Sequence, residues 1–306
     1  MKPVTRLFLI GAPVVVAAAV ILGGGGDSGV LADNPPSYPE HTGAPNPLAP
    51  GALENEEEVR KRIDAMPPGL ADPEKKEIAA RLVASAESST LDWRGLYGTI
   101  KDFGDGNGYT AGVIGFCSGT NDMLQLVESY TKSHPDNPLA PYLPALRAVD
   151  GTDSHDGLDP GFREAWAQAA RSPDFRAAQD ATRDRIYFDP AVRMAKMDGL
   201  GTLGQFIYYD AMVLHGPGLD PHGFYGIREA AMKQSRTPDQ GGDETAYLDA
   251  FLDSGRAVIK AELTTAQRDS SRIDTAQRVF LRDGNMALEP PLNWEMYGET
   301  FRIAAH

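Results

Sequence analysis

Residues 72–90 read DPEKKEIAARLVASAESST, and residues 100–120 read IKDFGDGNGYTAGVIGFCSGT. The first stretch is a helix with both ends marked. Asp72 suits the N-cap and Pro73 the first helical position. Ile78, Leu82, Val83 and Ala86 recur at helical spacing and form one apolar face. Ser88-Ser89-Thr90 closes the helix. From Leu96 to Ile114 the character changes. Gly104, Gly106 and Gly108 punctuate short runs of Tyr, Thr, Val and Ile, which predicts a small hairpin or meander. Beyond residue 120 the pattern is mostly helical, beginning at Met123, Leu124, Leu126 and Val127. Residues 162–170, 175–187, 190–214, 226–235 and 244–263 are further helices, joined by Pro, Gly and Asp. The fold class is therefore mainly α (α+β): many helices with one small sheet inserted early.

Upstream of this domain the chain is of a different kind. Lys2 and Arg6 precede an apolar run from Leu7 to Leu22, followed by a small-residue junction at Val30-Leu31-Ala32. Residues 1–32 read as a secretory signal peptide cut after Ala32, with an uncleaved anchor as the competing reading. No cysteine follows, which excludes a bacterial lipid anchor. Pro35, Pro36, Pro39, Pro45, Pro47 and Pro50 make the next segment an extended linker or pro-region. Residues 53–66 suit a charged helix that Pro67-Pro68-Gly69 breaks. The expected organisation is signal peptide 1–32, linker or pro-region 33–69 and a folded domain 70–306.

The 306 residues include 42% hydrophobic and 24% charged side chains, an ordinary globular balance that excludes a disordered chain. Lys and Arg total 29 and Asp and Glu 43, giving a formal net charge of -14. That sign excludes a free nucleic-acid binder and favours a cationic ligand. Loss of residues 1–32 makes the charge one unit more negative. Cys117 is the single cysteine, so neither an intramolecular disulfide nor a cysteine zinc site can form.

Two carboxylates carry candidate chemistry. Glu87 lies four residues after Val83, at the edge of the apolar face and in the last helical turn. Partial burial and the negative helix end both favour its neutral form, as a proton donor requires. A solvated helix-end Glu is the bland alternative. Asp105 sits among three glycines that allow close approach of a ligand, or simply form a hairpin turn. A calcium loop fails there, because Phe103 and Ile114 fall at coordinating positions. An acid on a helix end and a second carboxylate on a small sheet fit glycoside hydrolysis, although spacing alone does not prove it. Cys117 reads as packing, His215 as a helix-end residue, and Trp93, Trp166 and Trp294 as core.

The runs Ser85-Ala86-Glu87-Ser88-Ser89, Gly104-Asp105-Gly106-Asn107-Gly108-Tyr109-Thr110 and Ile114-Gly115-Phe116-Cys117-Ser118-Gly119-Thr120 together resemble the glycoside hydrolase family 46 chitosanases of actinomycetes. The resemblance continues collinearly through Tyr187-Phe188-Asp189-Pro190, His215-Gly216-Pro217-Gly218 and Gly241-Gly242-Asp243-Glu244-Thr245 to Pro290-Pro291-Leu292. It implies a lysozyme-like, two-lobed fold with a small β-sheet in the minor lobe and a cleft between the lobes. It also implies secreted, extracellular endo-hydrolysis of chitosan, the β-1,4 polymer of glucosamine, with inversion and with no metal or organic cofactor. By the same resemblance Glu87 is the general acid, Asp105 the general base and Thr110 the residue that positions the attacking water. Asp122 binds a glucosamine amine, and Ser89 and Thr120 line the same cleft. An ion network joins Asp210 to Arg272 and to Arg256, the last only if a residue is inserted near Ser254-Gly255. The expected partner is polycationic chitosan, with no nucleic acid, no membrane after signal cleavage, and the protein a monomer.

The chain departs from that family at Asn107, where many members have Arg, and at Thr99, where they have Tyr. A cleft His is replaced by Gln267 or Arg268. Two other functions compete. One is a lysozyme-fold peptidoglycan hydrolase, against which Asp105 and Thr110 argue. The other is a non-catalytic chitosan-binding protein, against which intact Glu87 and Asp105 argue.

Overall fold

The computed structural model describes residues 52–261 and 269–305. The expected signal peptide and residues 33–51 of the linker or pro-region lie outside the described residues, as do Gln267 and Arg268. Ala52–Asp64 forms α1, the charged helix expected there, with Lys61 and Glu57 paired at 2.8 Å. It belongs to a unit separate from the residues that follow Pro67.

α2 spans Pro73–Ser88. Asp72 caps it, its Oδ1 accepting from the amides of Glu74 (2.9 Å) and Lys75 (3.4 Å). The predicted face of Ile78, Leu82, Val83 and Ala86 is buried. The helix ends where Ser89 turns left-handed (φ +48°), its amide bonding the Ala84 carbonyl. A 3-10 turn, Trp93–Gly98, leads into a three-stranded antiparallel meander: β1 (Ile100–Asp102), β2 (Tyr109–Ala111) and β3 (Phe116–Cys117). Lys101 pairs with Thr110, and Thr110 with Cys117, so β2 is central. All three of its residues are buried.

Helices follow where the periodicity predicts them, α3 (Asp122–Ser133), α5 (Phe162–Ala169) and α6 (Pro173–Arg183), and α4 (Leu143–Val149) is a further helix that it did not predict. A π-helical segment, Asp184–Phe188, joins α6 to α7 (Asp189–Met197). The apolar stretch 190–214 is not one helix. It breaks at Gly199 (φ +78°), where an added Cβ would stand 2.9 Å from the Asp239 amide nitrogen. The chain restarts as α8 (Thr202–His215), buried on nearly every side. α9 (Phe224–Met232) and α10 (Glu244–Ala261) pack together, and a second π-helical segment, Arg272–Gln277, runs into α11 (Arg278–Arg282).

The chain then forms a hairpin that the sequence reading did not anticipate, β4 (Leu292–Met296) and β5 (Glu299–Ile303), paired Leu292 to Ile303. Trp166 and Trp294 are core residues. Trp93 is only half-buried, with the guanidinium groups of Arg94 and Arg183 4.2 and 5.8 Å from its ring. Among the described residues no helix is long and apolar enough to cross a membrane.

Candidate active site

Glu87 is no solvated helix end. It is 3% exposed, and its Oε1 accepts from Arg272 Nη2. Arg272 Nε stands 3.3 Å from Asp210 Oδ2 on α8, which also accepts from Gln277 Nε2 at 2.5 Å. Two buried carboxyl groups thus share one guanidinium. Burial pushes the Glu87 carboxyl above its usual range and the nearby Asp210 charge adds to this, although Arg272 opposes both. Burial raises Asp210 as well. The neutral form of Glu87 is therefore favoured at the end of a helix whose orphan carbonyls disfavour negative charge.

The β4–β5 hairpin fixes the same helical turn. Trp294 Nε1 donates to Ser85 Oγ (3.0 Å) and Tyr297 OH to the Ala86 carbonyl (2.9 Å). Sequence reasoning missed Gln277, Trp294 and Tyr297 in this setting. The alternation of buried Leu292, Trp294 and Met296 with exposed neighbours was the available signal for the strand.

A cavity of about 320 Å³ opens beside Glu87. Thr110 of β2 lines it too, with Thr99, Lys101, Phe103 and Asp92. The Thr110 hydroxyl lies 3.3 Å from Cys117 Sγ. Cys117 is buried, and burial with the Asp122 charge pushes its thiol up, so it packs rather than reacts. Asp105 is not among the residues lining this cavity. It stands on the β1–β2 loop, one residue after Gly104 and two after the lining Phe103. Gly104, Gly106 and Gly108 all adopt positive φ, so the hairpin-turn geometry and the candidate base coincide. Asp105 Oδ1 accepts from the Asn107 amide (3.1 Å), while Oδ2 is buried without a hydrogen-bond partner.

The remaining expected site residues fall into separate groups. Asp122, the first residue of α3, is 5% exposed. Its Oδ1 accepts from the Cys117 and Met123 amides and the Thr120 hydroxyl, and its Oδ2 from Tyr187 OH. Burial pushes its carboxyl up to about 6 against those four bonds. Asp122 and Thr120 thus meet each other, but neither lines the cavity beside Glu87. Ser89 is the left-handed cap of α2.

Arg256 lies outside the buried network in which the sequence reading placed it. Its Nε pairs with Asp274 Oδ1 at 2.9 Å, with 44% of its side chain exposed. Gln277 takes the remaining bond to Asp210. His215 ends α8 as expected, and burial pushes its pKa down to about 3, so it is neutral. Among the described residues no group of three or more His, Cys, Asp or Glu is placed to hold a metal ion.

Relatives share both this fold and this stretch of sequence. A chitosanase of Streptomyces sp. is 59% identical over 235 residues, which is 77% of this chain and 84% of that one. One of Nocardioides sp. is 55% identical over the same shares. A chitosanase solved with substrate superposes with a TM-score of 0.75 at 55% identity, covering 76% of this chain and 98% of that one. The Gynuella sunshinyii chitosanase in complex with chitotetraose gives 0.70 at 30% identity, over the same shares. The model of glycosyl hydrolase family 46 matches residues 81–292, a span that includes Glu87, the cavity and Arg272, and to that family this chain belongs.

Proposed function

We propose that the protein is an endo-acting chitosanase that cleaves β-1,4 bonds between glucosamine units with inversion. The observation that carries this is the buried Glu87, held toward its neutral form beside an open cavity. The family and the activity named for its relatives support it. Glu87 gives its proton to the glycosidic oxygen as the bond to the anomeric carbon breaks. Asp105 takes a proton from a water that attacks that carbon from the opposite face, and the Thr110 hydroxyl orients the water. Asp122 and Thr120 hold the amine-bearing side of the substrate, with Ser89 nearby. Arg272 and Asp210 tune and steady Glu87 without touching sugar.

Inversion needs room for a water between the carboxyl groups, roughly 6.5–9.5 Å as a general rule. The placement of Asp105 on a loop apart from the Glu87 helix supports that wider arrangement. In this reading the protein acts as a monomer. It acts outside the cell, released by residues 1–32, where acidic conditions make chitosan a polycation that the acidic chain, one unit more negative than the full-length -14, attracts. Because burial raises the Glu87 carboxyl, its donating form persists to higher pH than an ordinary carboxyl's would, and activity falls once that proton is lost.

The test is proton NMR of the first products from chitosan, before mutarotation. An initial α-anomer is expected. An initial β product overturns the base role of Asp105, and cleavage of peptidoglycan in preference to chitosan overturns the substrate.

A further inference from the structure

His155 lies on the loop between α4 and α5, and no role described above uses it. Its ring stacks on Tyr109, with centroids 3.9 Å apart and planes within 6° of parallel. Tyr109 directly precedes Thr110 on β2. His155 Nε2 is buried without a hydrogen-bond partner and stands 3.6 Å from Asp102 Oδ2. Nδ1 stands 3.8 Å from Asp159 Oδ2. Tyr109 OH donates to both Asp159 oxygens, at 2.8 and 3.0 Å. Asp102 in turn accepts from the Gly104 amide at 2.7 Å, at the root of the Asp105 loop. The other end of that loop is strapped to the same segment. The Gly119 amide bonds the Asn107 carbonyl (3.0 Å), and the Gly151 amide bonds the Gly119 carbonyl (3.1 Å).

We propose that His155 is a positioning residue for Asp105: doubly protonated, it ties Asp102 to Asp159 across the Tyr109 ring and so fixes the loop that carries the base. The proposal rests on the reading of Asp105 as that base. The two separations are too long for hydrogen bonds yet within reach of an ion pair. A neutral imidazole has a single N–H and can serve one carboxylate at most, whereas the charged ring donates from both nitrogens. The groups that face the ring are Asp102 of β1, Tyr109 of β2 and Asp159 of its own loop. Arg163 of α5 acts on the Tyr109 phenol and completes the set. Asp102 leads directly to Gly104 through one hydrogen bond, so a bond formed at Nε2 is felt at the loop. The tie fastens in acid, under the conditions that charge the amines of a chitosan substrate.

The carboxylates are partly exposed, 43% for Asp102 and 53% for Asp159, so each bond is modest. The expected effect on turnover in acid is about two- to fivefold. Three measurements on the full chain test this across the range in which histidines titrate. They are the His155 titration by NMR, amide-exchange protection of residues 103–108, and the pH profile of kcat and KM. Protection of the loop is expected to rise as His155 gains its proton. His155→Gln flattens that rise and lowers kcat in acid with KM little changed, its profile meeting that of the parent at higher pH. His155→Phe keeps the stack without the charge and gives the same result should the Gln variant fold poorly. Loop protection that ignores the His155 titration, or a parental pH profile in either His155 variant, overturns the tie. A normal protection change together with full turnover in Asp105→Asn overturns the base reading instead.

Discussion

Arg272→Met would remove the guanidinium shared by Glu87 and Asp210 while keeping a side chain of similar length. The three groups are 5%, 3% and 1% exposed, so little water reaches them. Taking one partner from a buried ion pair commonly costs about 3–5 kcal/mol, because a charge is left without compensation. Here two carboxyl groups lose their cation. In a domain of this size about 4 kcal/mol lowers the unfolding midpoint by roughly 10–15 °C. The deficit must depend on pH. Burial already raises both carboxyl groups in the parent, with Arg272 opposing the rise. Without it both rise further, so the folded variant holds protons that the unfolded chain releases. Its stability then falls as pH rises above the ordinary carboxylate range and recovers in acid, where both groups are neutral in either state. Thermal unfolding followed by circular dichroism, once in acid and once above neutrality, reads both effects. A midpoint loss of the same size at both pH values, or none, would refute the account of a shared buried cation.

The other expectations are simpler. Glu87→Gln keeps shape but cannot donate a proton, and turnover falls about 10²–10⁴-fold while chitosan still binds; near-normal rates in a reducing-end assay would remove Glu87 from the acid role. Arg256→Ala loses only a half-exposed pair with Asp274 and stays within about 1 kcal/mol of the parent in urea unfolding, whereas a larger loss would return Arg256 to the buried network. Trp294→Phe leaves Ser85 Oγ without its indole donor and costs about 1 kcal/mol by the same assay, a cost absent in a Ser85→Ala background. Hydrolysis of long chitosan slows as salt is added, chiefly through KM; a rate indifferent to ionic strength contradicts electrostatic capture.

The parts of this fold that the sequence disclosed are those governed by neighbours along the chain. The Asp72 cap, the Pro73 start and the apolar spacing of α2 all act within a few residues, and the glycine loop between β1 and β2 is equally local. Glu87 could be suspected as an acid from its place on that helix. Its full burial could not, because the residues that enclose it arrive from far downstream. Arg272 is 185 residues away and Trp294 is 209 residues from Ser85. The assignment of Arg256 failed for a related reason. Counting an inserted residue shifts a side chain by about 100° around a helix, and the count alone does not say which face it reaches. The break at Gly199 was hidden by the apolar residues on both sides of it. The bonds that hold Asp122 were equally hidden, because the amides of Cys117 and Met123 and the hydroxyls of Thr120 and Tyr187 meet it only once the β3–α3 corner and Tyr187 are folded together.

The hairpin at β4–β5 has a consequence for the order in which the protein is made. Tyr297 holds the carbonyl of Ala86 across 211 residues, and Trp294 holds Ser85 across nearly as many. A ribosome releases the Glu87 helix long before it releases these anchors. A nascent chain can therefore bury much of its core while the turn that carries the acid still lacks both of them. Catalytic competence becomes one of the last properties acquired during synthesis, and a message cut short before codon 294 yields a protein that retains Glu87 but not the hairpin that sets it.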